Sequence, residues 1–286
     1  VFPLFLLTIA VPLIVIAMLW RRAGKPRGAW MATFVMALGV VSFAFFVAPW
    51  GVFGFPARYA LVLLFVLAAV LSFRRMPAPD ARQESAVRAF VKVMLGIFVG
   101  GVAVGALQGR AVPAGAIRLA FPLRGGAFLI GHGGSTSPSN MHHPDARQTY
   151  AVDIMQLNRA GMRASGVFPA DPASYEIFGA PVLSPCDGIV QRAFDGSPDT
   201  RDEKNVHGNH LVLRCGDVDV WLAHLQRGSV SVRAGMPVRT GQTLGRVGNS
   251  GNTPEPHLHI HAERGGKGVP VRYDGDWLVR NDVVRR

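Results

Sequence analysis

Four long apolar stretches occupy the chain from Val1 to Leu107, and they constrain it more than anything that follows. A run of about 20 apolar residues is the length of helix that crosses a bilayer, where only a helix or a closed barrel satisfies its own backbone. The expected spans are residues 1–20, 29–48, 57–73 and 89–107. The first is too long for a signal-peptide core and lacks a small-residue cleavage site. The third is short unless it begins near Pro56 with Arg58 snorkelling. Lys92 makes the fourth the weakest span. Gly101, Gly105 and Gly109, like Gly96 and Gly100, recur every four residues, a spacing that suits close helix packing in a membrane. The sequence opens on Val1 rather than Met, so part of the N-terminus is expected to be missing.

The net charge of +12 reads differently once it is located. Residues 1–112 carry 11 Lys/Arg against 2 Asp/Glu, or +9, whereas residues 113–286 carry 19 against 16, or +3. The basicity flanks apolar runs instead of forming a patch on a folded domain, which argues against nucleic acid as a partner and for membrane lipid. Arg21, Arg22, Lys25 and Arg27 lie between spans one and two. Arg74, Arg75, Arg82 and Arg88 lie between spans three and four, and only Arg58 lies in the loop between. The positive-inside rule makes the two basic loops cytoplasmic. Both termini, and the C-terminal part with them, then lie outside. Without span four the C-terminal part would lie inside.

From Pro113 onward apolar runs shorten, Gly and Pro punctuate them, and period-two alternation appears. Strands are expected at Ala127–Ile130, Tyr150–Ile154, Gly188–Phe194, His210–Cys215, Asp217–His224, Thr243–Val247 and Leu258–Ala262. The fold class is thus an α-helical membrane region at residues 1–112, followed by an all-β domain at residues 113–286. Val238–Gly251 reads as a strand hairpin with repeated glycine turns.

Three clusters carry the chemistry. Asn140-Met-His142-His143-Pro-Asp145 leads to Gln148-Thr-Tyr150-Ala-Val-Asp153. Val220-Trp221-Leu-Ala-His224-Leu places a histidine in an apolar strand. Gly248-Asn-Ser-Gly-Asn-Thr-Pro-Glu-Pro-His257-Leu-His259-Ile-His261 runs a glycine-rich turn into three alternating histidines, which share one face of a strand. Histidine nitrogen and carboxylate oxygen are zinc ligands. Asp153 as a turn residue and His224 as a packed strand residue are the plain alternatives.

Together these clusters resemble the lysostaphin/LytM-type zinc metallopeptidases, which cleave peptide bonds in bacterial peptidoglycan. The resemblance rests on Ala-His-Leu at 223–225, Gly-Gln-Thr-Leu-Gly at 241–245, and Gly-Asn-Ser-Gly through His-Leu-His at 248–259. It implies an antiparallel, sandwich-like β fold and one Zn2+. It makes Asp153 and His259 metal ligands and His224 and His257 the catalytic pair. One of the pair takes the proton of a metal-activated water. The other stabilises the oxyanion or protonates the leaving amine. The family pattern His-x-x-x-Asp puts a histidine at Thr149, and threonine cannot replace it. The missing ligand is His142, with His143 as the alternative. Three ligands leave a coordination position open, as catalytic zinc requires.

His261 reads as either a partner of the site or strand surface, and His132 as a candidate for the cleft. His207, His210 and Glu255 read as structural. If Gly188–Phe194 pairs with His210–Cys215, Cys186 lies near Cys215; a disulfide and two free thiols both stay open. The expected protein is a multi-pass endopeptidase of the bacterial cytoplasmic membrane, its β domain extracytoplasmic and its substrate a peptidoglycan peptide. A membrane or cell-wall protein partner is a further candidate. The alternative is a non-catalytic relative that activates or binds with wall hydrolases. A transporter or sensor has little support, because the spans hold few ionisable groups beyond Lys92.

Overall fold

The computed structural model describes residues 2–21, 26–75 and 84–286. Arg22, Lys25 and Arg82 of the two basic loops lie outside the described residues. The chain divides into two compact units, Val1–Leu107 and Gln108–Arg286.

The first unit holds four helices long and apolar enough to cross a membrane: Pro3–Trp20, Arg27–Val47, Ala57–Arg74 and Ala86–Gln108. Their outward residues are apolar too, among them Leu63, Phe90 and Phe98. That pattern suits a lipid surround, not water. The interior polar groups are paired. The Trp30 Nε1–H donates to Ser72 Oγ at 2.8 Å, and the Trp50 Nε1–H donates to the Ala44 carbonyl at 2.7 Å. Lys92, which weakened the fourth span in sequence, is neutralised by Glu84 at 2.6 Å and donates to Thr33 Oγ1 at 3.2 Å. The two glycine rows differ. A Cβ on Gly96 would meet the Val35 carbonyl, and one on Gly39 would meet Gly96, so these glycines permit a close crossing of the second and fourth helices. A Cβ on Gly101 would meet nothing.

The second unit is built from fourteen strands: β1 (Ile117–Leu119), β2 (Ala127–His132), β3 (Val152–Leu157), β4 (Pro181–Leu183), β5 (Gly188–Phe194), β6 (Asn209–Cys215), β7 (Val218–Leu225), β8 (Pro237–Val238), β9 (Thr243–Arg246), β10 (Leu258–Arg264), β11 (Lys267–Val269), β12 (Val271–Tyr273), β13 (Asp276–Trp277) and β14 (Val283–Arg285). The main sheet runs β14-β2-β3-β10-β7-β6-β5-β8, with β11 beside β10. All its pairs are antiparallel. Small sheets β1-β12-β13 and β4-β9 complete the domain.

Alternation assigns the two faces of the main sheet. On β10, Leu258, Ile260 and Ala262 enter the core with Val220 and Leu222 of β7. Leu119, Val182, Leu244, Val271 and Tyr273 join them from the small sheets. His259, His261 and Glu263 take the opposite face, level with Ala223, Trp221 and Asp219 of β7. The polar face is therefore left for chemistry.

The stretch Val238–Gly251 is not a hairpin. β8 pairs with β5 in the main sheet, while β9 pairs with β4 in a separate sheet. Gly241, at φ +81°, turns the chain between two strands too short to hold each other. The β5–β6 hairpin does form, and Cys186 and Cys215 are joined by a disulfide with Cα atoms 6.0 Å apart. Closing 29 residues of chain stabilises the fold by about 3.6 kcal/mol. Replacing both cysteines with serine is expected to lower the melting temperature of the strand circular dichroism signal; an unchanged melt would show the bond absent.

Candidate active site

Antiparallel register places Asp153 of β3 directly opposite His259 of β10. The His259 Nδ1 lies 2.9 Å from Asp153 Oδ1. His142 reaches the other carboxylate oxygen from the loop before β3, its Nε2 2.9 Å from Oδ2. These three residues each offer a ligand atom, and the three atoms lie within 4.8 Å of one another. Asn140, fully buried, fixes the loop. Its side-chain amide donates to the carbonyls of Gly134 and Ala151 at 3.1 and 3.0 Å, and its Oδ1 accepts the His142 backbone N–H at 3.0 Å. The next residue, His143, lies outside this cluster and its buried Nδ1 has no hydrogen-bond partner. Thr149 is turned away, its hydroxyl donating to the Asp145 carbonyl at 2.8 Å.

His224 and His257 stand beside the cluster with ring centroids 4.8 Å apart. His224 has φ +63°, a left-handed conformation unusual for a non-glycine residue. Its backbone N–H donates to the His207 carbonyl, and its own carbonyl accepts from Gly248, so both neighbouring loops hold the strained turn. Its Nδ1 lies 2.9 Å from the Ser250 carbonyl. The His257 Nδ1 lies 2.9 Å from the Glu255 carbonyl and 3.1 Å from Thr253 Oγ1, and its Nε2 is 3.6 Å from Asp153 Oδ1. A neutral imidazole donates through one nitrogen only. With Nδ1–H committed to a carbonyl, Nε2 is the ring nitrogen left to the cleft in both residues.

The cluster lines a cleft of about 390 Å³, together with His132, Glu255 and Met141. Burial alone would raise the Asp153 carboxyl. The charges of His142 and His257, with hydrogen bonds from His142 and His259, outweigh it and hold the group well below the usual carboxylate range. Burial opposes charge on His142 too, but Asp153 prevails and raises it. Burial pushes His259 down to about 3 despite Asp153, and holds His224 well below its ordinary value with help from His257 and His259. Neutral His259 keeps a lone pair for a metal. Two imidazole nitrogens and one carboxylate oxygen, converging at the wall of an open cleft, fit a zinc ion with a free position.

Several residues that hold the site carry no sequence signal. Arg163, 2% exposed, grips Glu255 through Nε at 2.7 Å and so pins the turn entering His257. Its partner lies 92 residues away, beyond any local pattern. Arg280 Nη1 donates to the Gly131 carbonyl at 2.6 Å and lies 3.1 Å from His132 Nδ1, fixing that ring in the cleft. His207 and His210 pack near Trp221.

Residues 173–271 match the family described as peptidase family M23. That stretch of the second unit is similar to the M23 peptidases. The match contains His224, His257 and His259, and begins after His142 and Asp153. Solved structures similar to this chain include a mutant catalytic domain of the prophage-encoded M23 protein EnpA from Enterococcus faecalis, with 18% identity over 55% of this chain and 95% of that one, TM-score 0.34. A zinc-containing peptidase from Vibrio cholerae matches with 22% identity over 42% and 48%, TM-score 0.27. Lysostaphin from Staphylococcus simulans matches with 23% identity over 39% and 35%, TM-score 0.26. The chain thus spans about half of the second protein and a third of the third.

The Arg163–Glu255 pair gives the packing around the site a direct test. Arg163→Met leaves a carboxylate unpaired in a largely buried position, at a cost of about 3–5 kcal/mol. The urea midpoint of the full chain, followed by strand circular dichroism, should fall accordingly. An unmoved midpoint would mean the pair does not form.

Proposed function

We propose that this chain is a membrane-anchored zinc endopeptidase that hydrolyses peptide bonds in peptidoglycan. The observation that carries the reading is the convergence of His142, Asp153 and His259 beside the His224–His257 pair in one cleft. In this reading those three residues hold the metal, and His142 supplies the ligand that Thr149 cannot. The chemistry a zinc ion would supply there is a bound water with its pKa lowered towards about 7 and a polarised scissile carbonyl.

The remaining work belongs to the two histidines. Each has Nδ1–H tied to a backbone carbonyl and an Nε2 lone pair facing the reaction. Each is therefore set to accept a proton at Nε2 and, once protonated, to donate one from the same atom. One takes the proton of the attacking water at Nε2, and that proton, carried by the pair as imidazolium, stabilises the oxyanion or passes to the leaving amine. The carbonyl anchors keep both rings from rotating.

The four apolar helices act as a multi-pass anchor in the bacterial cytoplasmic membrane. The loop charges favour a domain on the outer side, where the wall lies, and the Cys186–Cys215 disulfide suits that oxidising compartment. Anchoring confines cleavage to wall near the membrane.

The 286-residue chain in detergent, incubated with purified peptidoglycan, should release muropeptides with newly freed amino and carboxyl ends, as read by mass spectrometry. A chelator should stop release and added zinc restore it. His259→Ala and His142→Ala should each abolish stoichiometric zinc and turnover, while His143→Ala keeps both. A chain with neither zinc nor turnover would instead be a non-catalytic activator of other wall hydrolases.

A further inference from the structure

We propose that His261 is a positioning residue for the metal site: when a cation replaces the Nδ1 proton that His259 shares with Asp153, His261 accepts the Nε2–H that the ligating tautomer carries. The inference rests on the zinc reading above and concerns a residue that this reading does not use. His259 and His261 lie on the same face of β10, and both are buried, at 2% and 3% exposure. The His259 Nε2 lies 3.0 Å from His261 Nδ1.

A neutral imidazole has one proton and one lone pair. If the lone pair at His259 Nδ1 goes to a metal, the proton is at Nε2. That buried N–H needs an acceptor, because an unmet one costs about 1–3 kcal/mol. The atom in reach is His261 Nδ1, which must then carry a lone pair, with the His261 proton at Nε2. Ligating histidines generally donate their second N–H to such a partner, which fixes ring orientation and strengthens the ligand. Here the partner is another histidine.

The His261 ring is itself fixed from outside the cluster. It lies opposite Trp221 in the β10–β7 register and stacks on that indole, 5.7 Å between centroids and 9° between planes. The Trp221 Nε1–H donates to Glu263 Oε1 at 2.8 Å. Arg147 closes on the same carboxylate through Nε and Nη2, at 2.8 and 2.9 Å. A line of contacts therefore runs from Arg147 through Glu263, Trp221 and His261 to His259.

The rival account is that His261 only packs on Trp221. Two substitutions separate the two in opposite directions. His261→Phe keeps a flat ring on the indole and removes the acceptor. His261→Asn loses the ring and keeps an acceptor oxygen close to where Nδ1 stands. The 286-residue chain in detergent is stripped of metal, and its Zn2+ affinity is measured by competition with a chromophoric chelator. Melting of the metal-free forms is recorded in parallel, and the visible spectrum of Co2+-loaded protein reports the ligand field.

The positioning role predicts that His261→Phe binds zinc about 10–100-fold more weakly, with a shifted cobalt spectrum and little change in metal-free melting. His261→Asn should stay close to the wild-type affinity even if it melts earlier. The reverse order, equal affinity in both variants, or loss in both would overturn the inference. Wild-type protein that binds no zinc would overturn the metal reading itself, a failure recognised before either variant is compared.

Discussion

A carboxylate that is 4% exposed keeps its charge only if partners replace the water it has lost, and Asp153 has three histidines around it. That requirement explains much of the C-terminal domain. β3 must run beside β10 in the register that sets Asp153 opposite His259. The loop before β3 must fold back far enough for His142 to reach the second oxygen, which is why Asn140 is buried and spends its amide on the carbonyls of that loop. The core face of the same strands is filled by Ile154, Leu258 and Ile260, so a one-residue slip would turn the histidines into the apolar core and the core residues onto the cleft face together. Packing and chemistry thus fix one register.

The two units answer opposite demands from their surroundings. In the N-terminal unit apolar residues face outward, and polar ones such as Trp30, Ser72, Lys92 and Glu84 pair inside. In the C-terminal domain the apolar cluster is central and the polar side chains take the open face of the sheet. The charge asymmetry of the sequence follows from this. Lys92 apart, the described basic residues of the first unit belong to the ends and loops of lipid-sized helices, whereas Arg147, Arg214 and Arg264 of the second are matched by Glu263, Asp219 and Asp217.

Much of this was legible in the residues, for physical reasons. An apolar run of 20 residues has few folded solutions, so the four helices could be read directly. Strands long enough to alternate, such as β5, β6, β7 and β10, declare their two faces. β8 and β13 have two residues each, too few for any period, and the supposed hairpin at 238–251 failed because partners for β8 and β9 came from β5 and β4. Adjacent His142 and His143 could not be separated in a loop without periodicity; what separates them is the Asn140 side chain capturing the backbone of one. Arg163 and Glu255, distant in sequence, carried no joint signal at all.

The backbone of His224 has a cost that the side chain conceals. Holding an L-residue in the left-handed region sacrifices about 1–2 kcal/mol, which glycine would recover at φ +63°. The same substitution would remove one of the two imidazoles facing the cleft. Glycine there would also empty a buried ring site and leave the Ser250 carbonyl without its partner, so the left-handed backbone and the imidazole are kept together.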